Sequence, residues 1–292
     1  MTQHSNSNAT MYAIDELLHI NYQDLEDRYG ALAKHIDGNG FPWDWRNSLY
    51  YPFGIEMLDR VLGGMKKRRL TLIVGEAESG TTSLALNIIA NAVMQDASTR
   101  PSGAISMFSS HHAESELSMR LLSIASGVSM ELMRLGKLDS DHWRTLAETV
   151  SSLHISNIRM MHNPNLTMDK ITSACRDSDH ALLILDRLDL LVSSTPEDPR
   201  QDELAAACTQ IRQLANSLSV PVLLTASLPN QDDCITSITM RQWSHAVYDN
   251  VDTIIAISRQ DEQVTLRVIK DDIWPATPME ISFDSDCMRF VA

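Results

Sequence analysis

The sequence predicts an α/β fold with a mainly parallel, twisted sheet flanked by helices, and three observations support this. Short apolar runs typical of buried strands occur at 70–74, 103–108, 155–161, 181–185 and 221–225. Amphipathic helical patterns alternate with them, at 81–96, 113–126, 140–152, 167–177 and 201–218. This alternation implies crossover connections and parallel pairing. Three further apolar runs follow one another closely and predict antiparallel C-terminal strands, at 252–257, 264–269 and 279–283.

The composition is that of a globular protein without membrane segments. With 292 residues, 43% of them hydrophobic, the chain is long enough for one sizeable core or for one domain with a small appendage. No segment approaches the roughly 18 to 20 apolar residues that cross a bilayer, and the polar N-terminus does not resemble a signal peptide. The four cysteines are scattered, which indicates neither a disulfide framework nor a zinc site. We therefore expect a cytoplasmic protein that contacts no membrane.

The net charge of −14 bears on nucleic-acid binding. Sequence-independent contacts to phosphate backbones normally need excess positive charge, so DNA is only weakly indicated as a partner, although a local basic loop would suffice to bind it. The dense basic run KKRR, at 66–69, is short, and we interpret it as a solvated turn.

The N-terminal part predicts an appendage to one main domain. We predict a disordered tail at residues 1–10 and an amphipathic helix at 11–36. An aromatic, proline-marked linker follows at 37–52, and the main domain is predicted at 53–292. The helix carries an apolar stripe of Ile14, Leu18, Leu25, Tyr29, Leu32 and Ile36. Such a stripe must be buried, and two docking surfaces stay open at this point: the helix's own domain or a neighbouring subunit.

The stretch GEAESGTTS, residues 75–83, lies between an apolar strand pattern and a helical pattern. This order is typical of the phosphate-binding loop G-x-x-x-x-G-K-[ST], in which backbone N–H groups at the helix N-terminus hold phosphates. Gly75 and Gly80 occupy the glycine positions, and Thr82, followed by Ser83, stands where the magnesium-binding hydroxyl belongs. The pattern therefore predicts the backbone of a nucleotide site.

The charges of this loop depart from the pattern. Thr81 replaces the lysine that neutralises the outer phosphates, and Glu76 and Glu78 add negative charge. At an effective dielectric constant of about 20, two unit charges ~6 Å apart repel by roughly 3 kcal/mol. We therefore expect ATP and magnesium to bind weakly, if they bind at all.

Seven segments in register resemble the C-terminal, RecA-like motor domain of the DnaB-type replicative helicases, of superfamily 4. They are FGIEMLDRVLGG, the phosphate loop, LALNIIANAV, ELSMRLLSIASGVSMELMRLGKLDSDHWRTL, NLTMDKI, LLILDRLDLL and LANSLSVPVLLTASL. The resemblance covers roughly residues 50–291 and implies a RecA-like P-loop fold. It also implies that the helix at 11–36 is the linker helix, which docks on the adjacent subunit and builds the ring in that family. From the resemblance we also expect the family's separate N-terminal domain to be missing here.

The resemblance assigns roles to residues outside the loop. His111 falls at the position of the catalytic glutamate, either as a substitute general base or, in our interpretation, as a loss. His111, His112 and Glu114 also resemble metal ligands, although adjacent histidines are more often solvent-facing loop residues. Asp186 matches the Walker B aspartate and would hold magnesium together with Thr82, or else serve only as a loop cap.

Three further sets of residues depart from the family's pattern. Ser227 stands where the family carries a glutamine that senses the γ-phosphate. In the pair that reaches into the neighbouring site, Lys270 is kept and Asp272 replaces the arginine finger. In the DNA-binding loop, Arg241 matches the family's arginine with an offset of one residue, and Trp243 either stacks on a base or packs into the protein.

These residues predict a DnaB-helicase-like protein with a degenerate phosphate loop, catalytic glutamate, sensor glutamine and arginine finger. We expect an ATPase-inactive accessory or regulatory subunit in DNA replication or recombination assemblies. Its partner would be a protein, either itself or a DnaB-type helicase, bound through the N-terminal helix. Two alternatives stay open: an active ATP-dependent 5′–3′ DNA helicase or translocase, and a single-stranded-DNA-binding protein without motor function.

Overall fold

A computed structural model describes residues 50–95, 103–176, 178–192, 201–228, 244–271 and 278–291, all within the compact unit Asp44–Ala292. The strands are β1 (Tyr50–Tyr51), β2 (Met65–Lys66), β3 (Leu70–Glu76), β4 (Ala104–Ser109), β5 (Ile158–His162), β6 (His180–Asp186), β7 (Val222–Leu228), β8 (Thr253–Gln260), β9 (Gln263–Lys270), β10 (Met279–Asp284) and β11 (Arg289–Val291). The helices are α1 (Glu56–Leu62), α2 (Thr81–Val93), α3 (Glu114–Ser126), α4 (Met130–Leu135), α5 (Ser140–His154), α6 (Met168–Cys175), α7 (Leu188–Val192), α8 (Gln201–Leu218) and α9 (His245–Asn250).

The described strands form a nine-stranded sheet and a separate pair of β1 and β2. The order in the large sheet is β11-β10-β9-β8-β3-β7-β6-β4-β5. From β8 to β5 neighbouring strands run parallel, whereas β8, β9, β10 and β11 pair antiparallel. The predicted α/β class, the mainly parallel sheet and the antiparallel C-terminal strands are therefore confirmed.

Helices cover both faces of the sheet. In β3, Ile73 faces a core shared with α1, α2, α3 and α5, whereas Leu72 and Val74 face a second core shared with α6, α7, α8 and α9. Because a parallel sheet with helices on both faces buries both sides of each strand, its strands read as continuous apolar runs. This is why the runs in the sequence located the central strands well.

Element boundaries differ from the sequence-based prediction where helices are short. The strand predicted at 155–161 begins at Ile158, because α5 continues to His154. The six-residue helix α4 was not predicted, since its pattern is too short to show periodicity. It is bounded by Gly127 and Gly136, which end α3 and α4 with φ of 71° and 65°, a left-handed conformation that favours glycine.

The basic run at 66–69 is more than a solvated turn. The Arg68 guanidinium donates a hydrogen bond to Ser219 Oγ over 2.9 Å. Arg69 pairs with Asp252, with 2.6 Å between Nη1 and Oδ1. Both contacts fasten the turn before β3 to distant parts of the chain.

The predicted tail and linker helix, and the linker up to residue 49, lie outside the described residues. At the end of that predicted linker, Tyr50 and Tyr51 form β1 and are buried, with exposed fractions of 1% and 2%. Within the described residues, none of the helices has the length and apolar character needed to span a bilayer.

Asp59 in α1 is a buried carboxyl group at the entry of the chain into the domain. It is 5% exposed, and Phe53 N–H donates to Oδ1 over 2.7 Å. Burial raises the pKa of Asp59 to about 7, against the opposing effect of the N–H groups of Phe53, Gly54 and Ile55. Between the ordinary carboxyl pKa and pH 7, the folded protein therefore holds a proton that the unfolded chain releases.

This difference predicts a pH-dependent stability. The protonated Asp59 side chain contributes to the stability of the folded state. This contribution is fully present below the pKa that Asp59 has in the unfolded chain, and it is lost as the pH rises through about 7. Between these two pH values the unfolded chain binds fewer protons than the folded protein, so stability falls with rising pH. Asp59→Asn cannot ionise. The free energy of unfolding of this variant, minus that of the natural protein, should therefore rise by roughly 1 to 3 kcal/mol from about pH 4.5 to about pH 7.5. Urea denaturation at a series of pH values measures this gain. The matched control is Asp141→Asn, at a side chain that is 77% exposed, and it should show no such trend.

Candidate nucleotide site

The phosphate loop lies at the carboxyl end of β3, the central strand of the nine-stranded sheet. Ligands of open α/β sheets bind at this edge. Gly80 precedes α2 with φ of 101°, which a residue with a side chain rarely adopts. A Cβ added to Gly75 would lie 2.1 Å from Ser79 Oγ. Gly80 is therefore favoured by its backbone conformation and Gly75 by the lack of space for a side chain, and their role in holding phosphate stays a prediction.

A backbone hydrogen bond forms within the phosphate loop. Ser79 N–H donates to Glu76 O over 3.2 Å, so this N–H group is already engaged inside the loop. Glu78 has φ of 65°, an uncommon conformation for a residue other than glycine. Thr81, at the position of the missing lysine, is buried and 8% exposed. The loop thus has the backbone of a phosphate site, with a buried threonine at position 81.

Asp186 ends β6 and is the centre of a buried hydrogen-bond network. It is 2% exposed. Its Oδ1 accepts hydrogen bonds from Thr82 Oγ1 and Thr225 Oγ1, both over 2.8 Å, and its Oδ2 accepts one from Ser109 Oγ over 2.9 Å. The carboxylate thus connects α2, β4, β6 and β7. The structure brings Thr82 and Asp186 together.

The same geometry bears on magnesium. Thr82 and Asp186, the two residues that the resemblance assigns to a magnesium ion, lie together, and the Thr82 hydroxyl donates a hydrogen bond to Asp186. Hydroxyl and carboxylate oxygens are the kind of ligand that Mg²⁺ takes. The pair would therefore suit the ion, and its role as a magnesium site stays a prediction.

Ser109 and Thr225 are members of this network that the sequence analysis missed. Each is a hydroxyl residue within an apolar run, in β4 and β7, next to the carboxyl end of the strand. Buried hydroxyls at the same edge of adjacent strands were the available signal, but strand order is needed to see that they meet. Thr225 Oγ1 also accepts from Arg187 N–H over 2.9 Å, which fixes the turn after β6.

Arg187 and Asp189 form a second polar pair in this turn. The Arg187 guanidinium donates to Asp189 through Nε and Nη2, the latter over 2.7 Å. Asp189 Oδ1 in turn accepts from Ser227 N–H over 3.2 Å. Ser227, at the predicted sensor position, is therefore held through its backbone by a carboxylate.

His111 follows β4 and is exposed, and its N–H donates to Ser109 Oγ over 3.2 Å. The neighbouring ring of His112 is half-buried and lies 3.4 Å from Glu116 Oε2. Burial, and next the charge of Arg120, lower the pKa of His112, against the opposing effects of Asp186 and Glu116. The His112 ring is therefore largely uncharged at neutral pH.

His111, His112 and Glu114 do not form a metal site in the described structure. Glu114 Oε1 accepts from His162 N–H over 2.8 Å, away from the two histidine rings, which contact each other edge to face with centroids 4.5 Å apart. In the part of the chain that the structure describes, no group of three or more His, Cys, Asp or Glu side chains is placed to hold a metal ion.

Comparison with known proteins identifies the family of this chain. The family model of the DnaB-like helicase C terminal domain matches residues 51–290. The chain belongs to this family. Its relatives include the replicative DNA helicase DnaB of Leifsonia xyli subsp. xyli (strain CTCB07), which is 25% identical over 88% of this chain and 57% of the relative. The replicative DNA helicase DnaC of Bacillus subtilis (strain 168) is 27% identical over 61% of this chain and 39% of the relative. The chain thus spans about half the length of the curated relatives it matches.

Two solved structures have the same fold. One is the ATPase domain of G40P, with a TM-score of 0.76 and 21% identity, over 96% of this chain and 99% of that one. The other is a DnaB-like replicative helicase described with its interactions with primase, with a TM-score of 0.75 and 20% identity, over 98% of this chain and 68% of that one. At these identities the likeness shows the fold alone.

Of the two residues that the sequence analysis assigned to a neighbouring site, Lys270 lies in the described part of the chain. Its ammonium group donates to Val251 O over 2.6 Å and to Tyr248 O, and it lies 5.0 Å from the centroid of the Tyr248 ring. These partners lie at the C-terminal end of α9 in the same chain, where a cation is favoured by the helix dipole. Asp272, Arg241 and Trp243 lie outside the described residues, and their roles remain predictions.

The network around Asp186 predicts a structural role that can be measured. Asp186→Ala leaves three buried hydroxyl groups without their acceptor, and each unsatisfied group costs about 1 to 3 kcal/mol, partly offset because an ionised group is no longer buried. We expect the free energy of unfolding to fall by about 2 to 4 kcal/mol, measured by urea denaturation without nucleotide. Asp141→Ala, on the exposed face of α5, should change it by less than about 0.5 kcal/mol. Equal stability of the two variants would contradict a structural role.

Proposed function

We propose that this DnaB-like chain is an ATPase-inactive protein that acts as an accessory or regulatory subunit in DNA replication or recombination assemblies. The observation that carries the proposal is the charge of the phosphate loop. Thr81 stands in place of the lysine, with Glu76 and Glu78 in the same turn, on a backbone that otherwise keeps the shape of the motif.

The electrostatic argument is specific to an anionic ligand. A triphosphate brings negative charge to a loop that already holds two carboxylates, and roughly 3 kcal/mol of repulsion applies to a pair of charges ~6 Å apart. Glu76 is half-buried and Glu78 exposed, so solvent screens part of this repulsion. The loss of the lysine removes the compensating attraction as well. Binding of MgATP is therefore expected to be weak.

Hydrolysis of ATP would also lack several catalytic groups. An arginine finger is worth about 10³ to 10⁵ in rate and a general base about 10² to 10⁴, although such effects are not additive. Here His111 stands at the position of the base, Ser227 at that of the sensor and Asp272 at that of the finger. The Lys270 ammonium group is engaged within its own chain. A productive catalytic cycle is not expected.

A role by contact is the function that remains for such a chain. Its curated relatives are replicative DNA helicases, and one structural neighbour is described with its interactions with primase. We propose that this chain, in the cytoplasm, binds a protein partner through residues 11–36, either a second copy of itself or a DnaB-type helicase. DNA is a weaker candidate partner because of the net charge of −14.

One observation favours the alternative, an active ATP-dependent DNA helicase. Thr82 and Asp186, whose hydroxyl and carboxylate oxygens are of the kind that binds magnesium, lie together beside the phosphate loop. Strand displacement on a forked DNA substrate, abolished in Thr82→Ala, would establish this alternative and overturn the proposal.

Charge restoration tests the proposal directly. The natural protein should show no phosphate release with MgATP and little or no nucleotide-dependent rise in Tm. The variant Glu76→Gln/Glu78→Gln/Thr81→Lys should bind MgATP at least about tenfold more tightly by calorimetry, because repulsion is removed and an ammonium group is supplied. Glu148→Gln, a neutralised carboxylate on α5, is the matched control and should change nothing. Micromolar MgATP affinity in the natural protein would contradict the electrostatic argument.

A further inference from the structure

The turn between β2 and β3 concentrates positive charge on an acidic chain. Residues 66–69 read KKRR in a chain whose net charge is −14, and we call these four residues the basic turn. Arg68 is exposed, and its guanidinium donates to the uncharged Ser219 hydroxyl, over 3.2 Å from Nε and 2.9 Å from Nη2. Among the described residues, no carboxylate pairs with Lys67 or Arg68. Both charges are therefore open to an acidic partner.

The basic turn is held in a fixed shape by the domain. Arg69 pairs with Asp252, which also accepts a bond from Arg212 over 2.9 Å. Arg68 N–H donates to Val220 O over 3.0 Å. These contacts fasten the turn at the start of β3. Because the backbone that carries the two open charges is already ordered, little freedom is lost when an acidic group binds there.

The chain enters the domain beside the basic turn. β1 pairs antiparallel with β2, with Tyr50 opposite Lys66 and Tyr51 opposite Met65. The Lys66 ammonium group also lies 5.5 Å from the centroid of the Tyr50 ring. Since the two strands are antiparallel, the chain before Tyr50 starts from the end of β1 at which β2 leads into the basic turn.

The segment 11–36 carries the complementary charge. It holds five acidic and two basic residues. Three of the acids, Asp24, Glu26 and Asp27, lie within four consecutive positions, and none of them belongs to the apolar stripe of this predicted helix. Residues 37–49 separate the segment from β1. Fully extended, this linker spans up to about 45 Å, so it is long enough to bring the three acids back to the basic turn.

We propose that Asp24, Glu26 and Asp27 dock on the basic turn of their own chain. The proposal rests on the proposed function, which assigns partner binding to residues 11–36. With its acids on the basic turn, the segment directs its apolar stripe away from the turn, where a protein partner can reach it. The basic turn is thus a positioning surface for the segment that binds the partner.

Tethering favours the chain's own segment over a free acidic ligand. Exposed ion pairs contribute little individually, so a separate acidic molecule would bind the turn weakly. A short linker, in contrast, gives the tethered acids an effective concentration on the order of millimolar. The carboxylates of the phosphate loop, Glu76 and Glu78, cannot take this place in the same chain, because β3 separates them from the basic turn by its whole length.

Zero-length cross-linking tests the proposal in the full chain. A carbodiimide joins a carboxylate to an amine only where the two are in contact, and it should link Lys67 to Asp24, Glu26 or Asp27. In a mixture of unlabelled and isotope-labelled protein, mass spectrometry should find these links within one isotope only. Their yield should fall several-fold between about 0.05 and 0.5 M salt, because salt screens exposed charges. Links between isotopes would overturn the proposal in favour of a second copy, and so would the absence of links at low salt.

Charge exchange supplies the matched variants. Lys67→Glu/Arg68→Glu should reduce the yield several-fold, because like charges then face each other. Adding Asp24→Lys/Asp27→Lys should restore linking, now with the amine on the segment and the carboxylate on the turn. The control is Arg134→Glu/Lys137→Glu at the exposed end of α4, which makes the same change of charge and should leave the yield unchanged. A charge exchange that fails to restore the link would contradict direct pairing.

A second set of substitutions leaves the turn itself unchanged. Asp24→Asn/Glu26→Gln/Asp27→Asn alters only the segment, so it should lose the link even if the substitutions in the turn lower the Tm of the domain. Phosphate release and partner binding, measured on the same samples, report separately on the proposed function, because the link forms within one chain without nucleotide or partner. A natural protein that forms no link but binds single-stranded DNA through Lys67 and Arg68 would overturn the proposal in favour of a nucleic-acid surface.

Discussion

The structure of the site depends on one buried carboxylate. Asp186 is almost fully removed from solvent, and an ionised carboxylate in such a place is strongly destabilising unless hydrogen bonds replace its lost hydration. Three hydroxyl groups supply those bonds, and they come from α2, β4 and β7. The same interaction therefore satisfies the charge and fastens the helix after the phosphate loop to the strands beside it.

The shape of the phosphate loop does not depend on a ligand. The hydroxyl groups that bind Asp186 need neither phosphate nor metal. Gly80 has a left-handed φ, and a side chain at Gly75 would clash with Ser79 Oγ and Ile257 O. A lysine at position 81, in contrast, would serve the ligand, so the shape of the loop is set by residues other than the one at that position.

Three cations among the described residues stabilise the structure around the sheet. Arg69 and Arg187 pair with Asp252 and Asp189, and Lys270 donates to the carbonyl groups of Tyr248 and Val251 at the C-terminal end of α9. Engaged in this way, they stabilise turns and a helix end.

Local sequence determined the class of the fold and the backbone of the loop. Apolar runs and helical periodicity report how each segment is buried, and the parallel strands, buried on both faces, gave the clearest runs. The glycines of the loop could be assigned because backbone conformation is a local property. Short elements such as α4 gave no periodic signal, and the start of β5 was missed because α5 continues further than its pattern.

Tertiary structure decided which distant residues meet. Ser109 and Thr225 were unremarkable hydroxyls until the strand order placed β4 and β7 on either side of β6, and only then did they become partners of Asp186. The burial that raises the pKa of Asp59 and the carbonyl groups that hold Lys270 likewise depend on segments far apart in the chain. The physical reason is that hydrogen bonds and desolvation depend on neighbours in space, whereas periodicity records only neighbours in sequence.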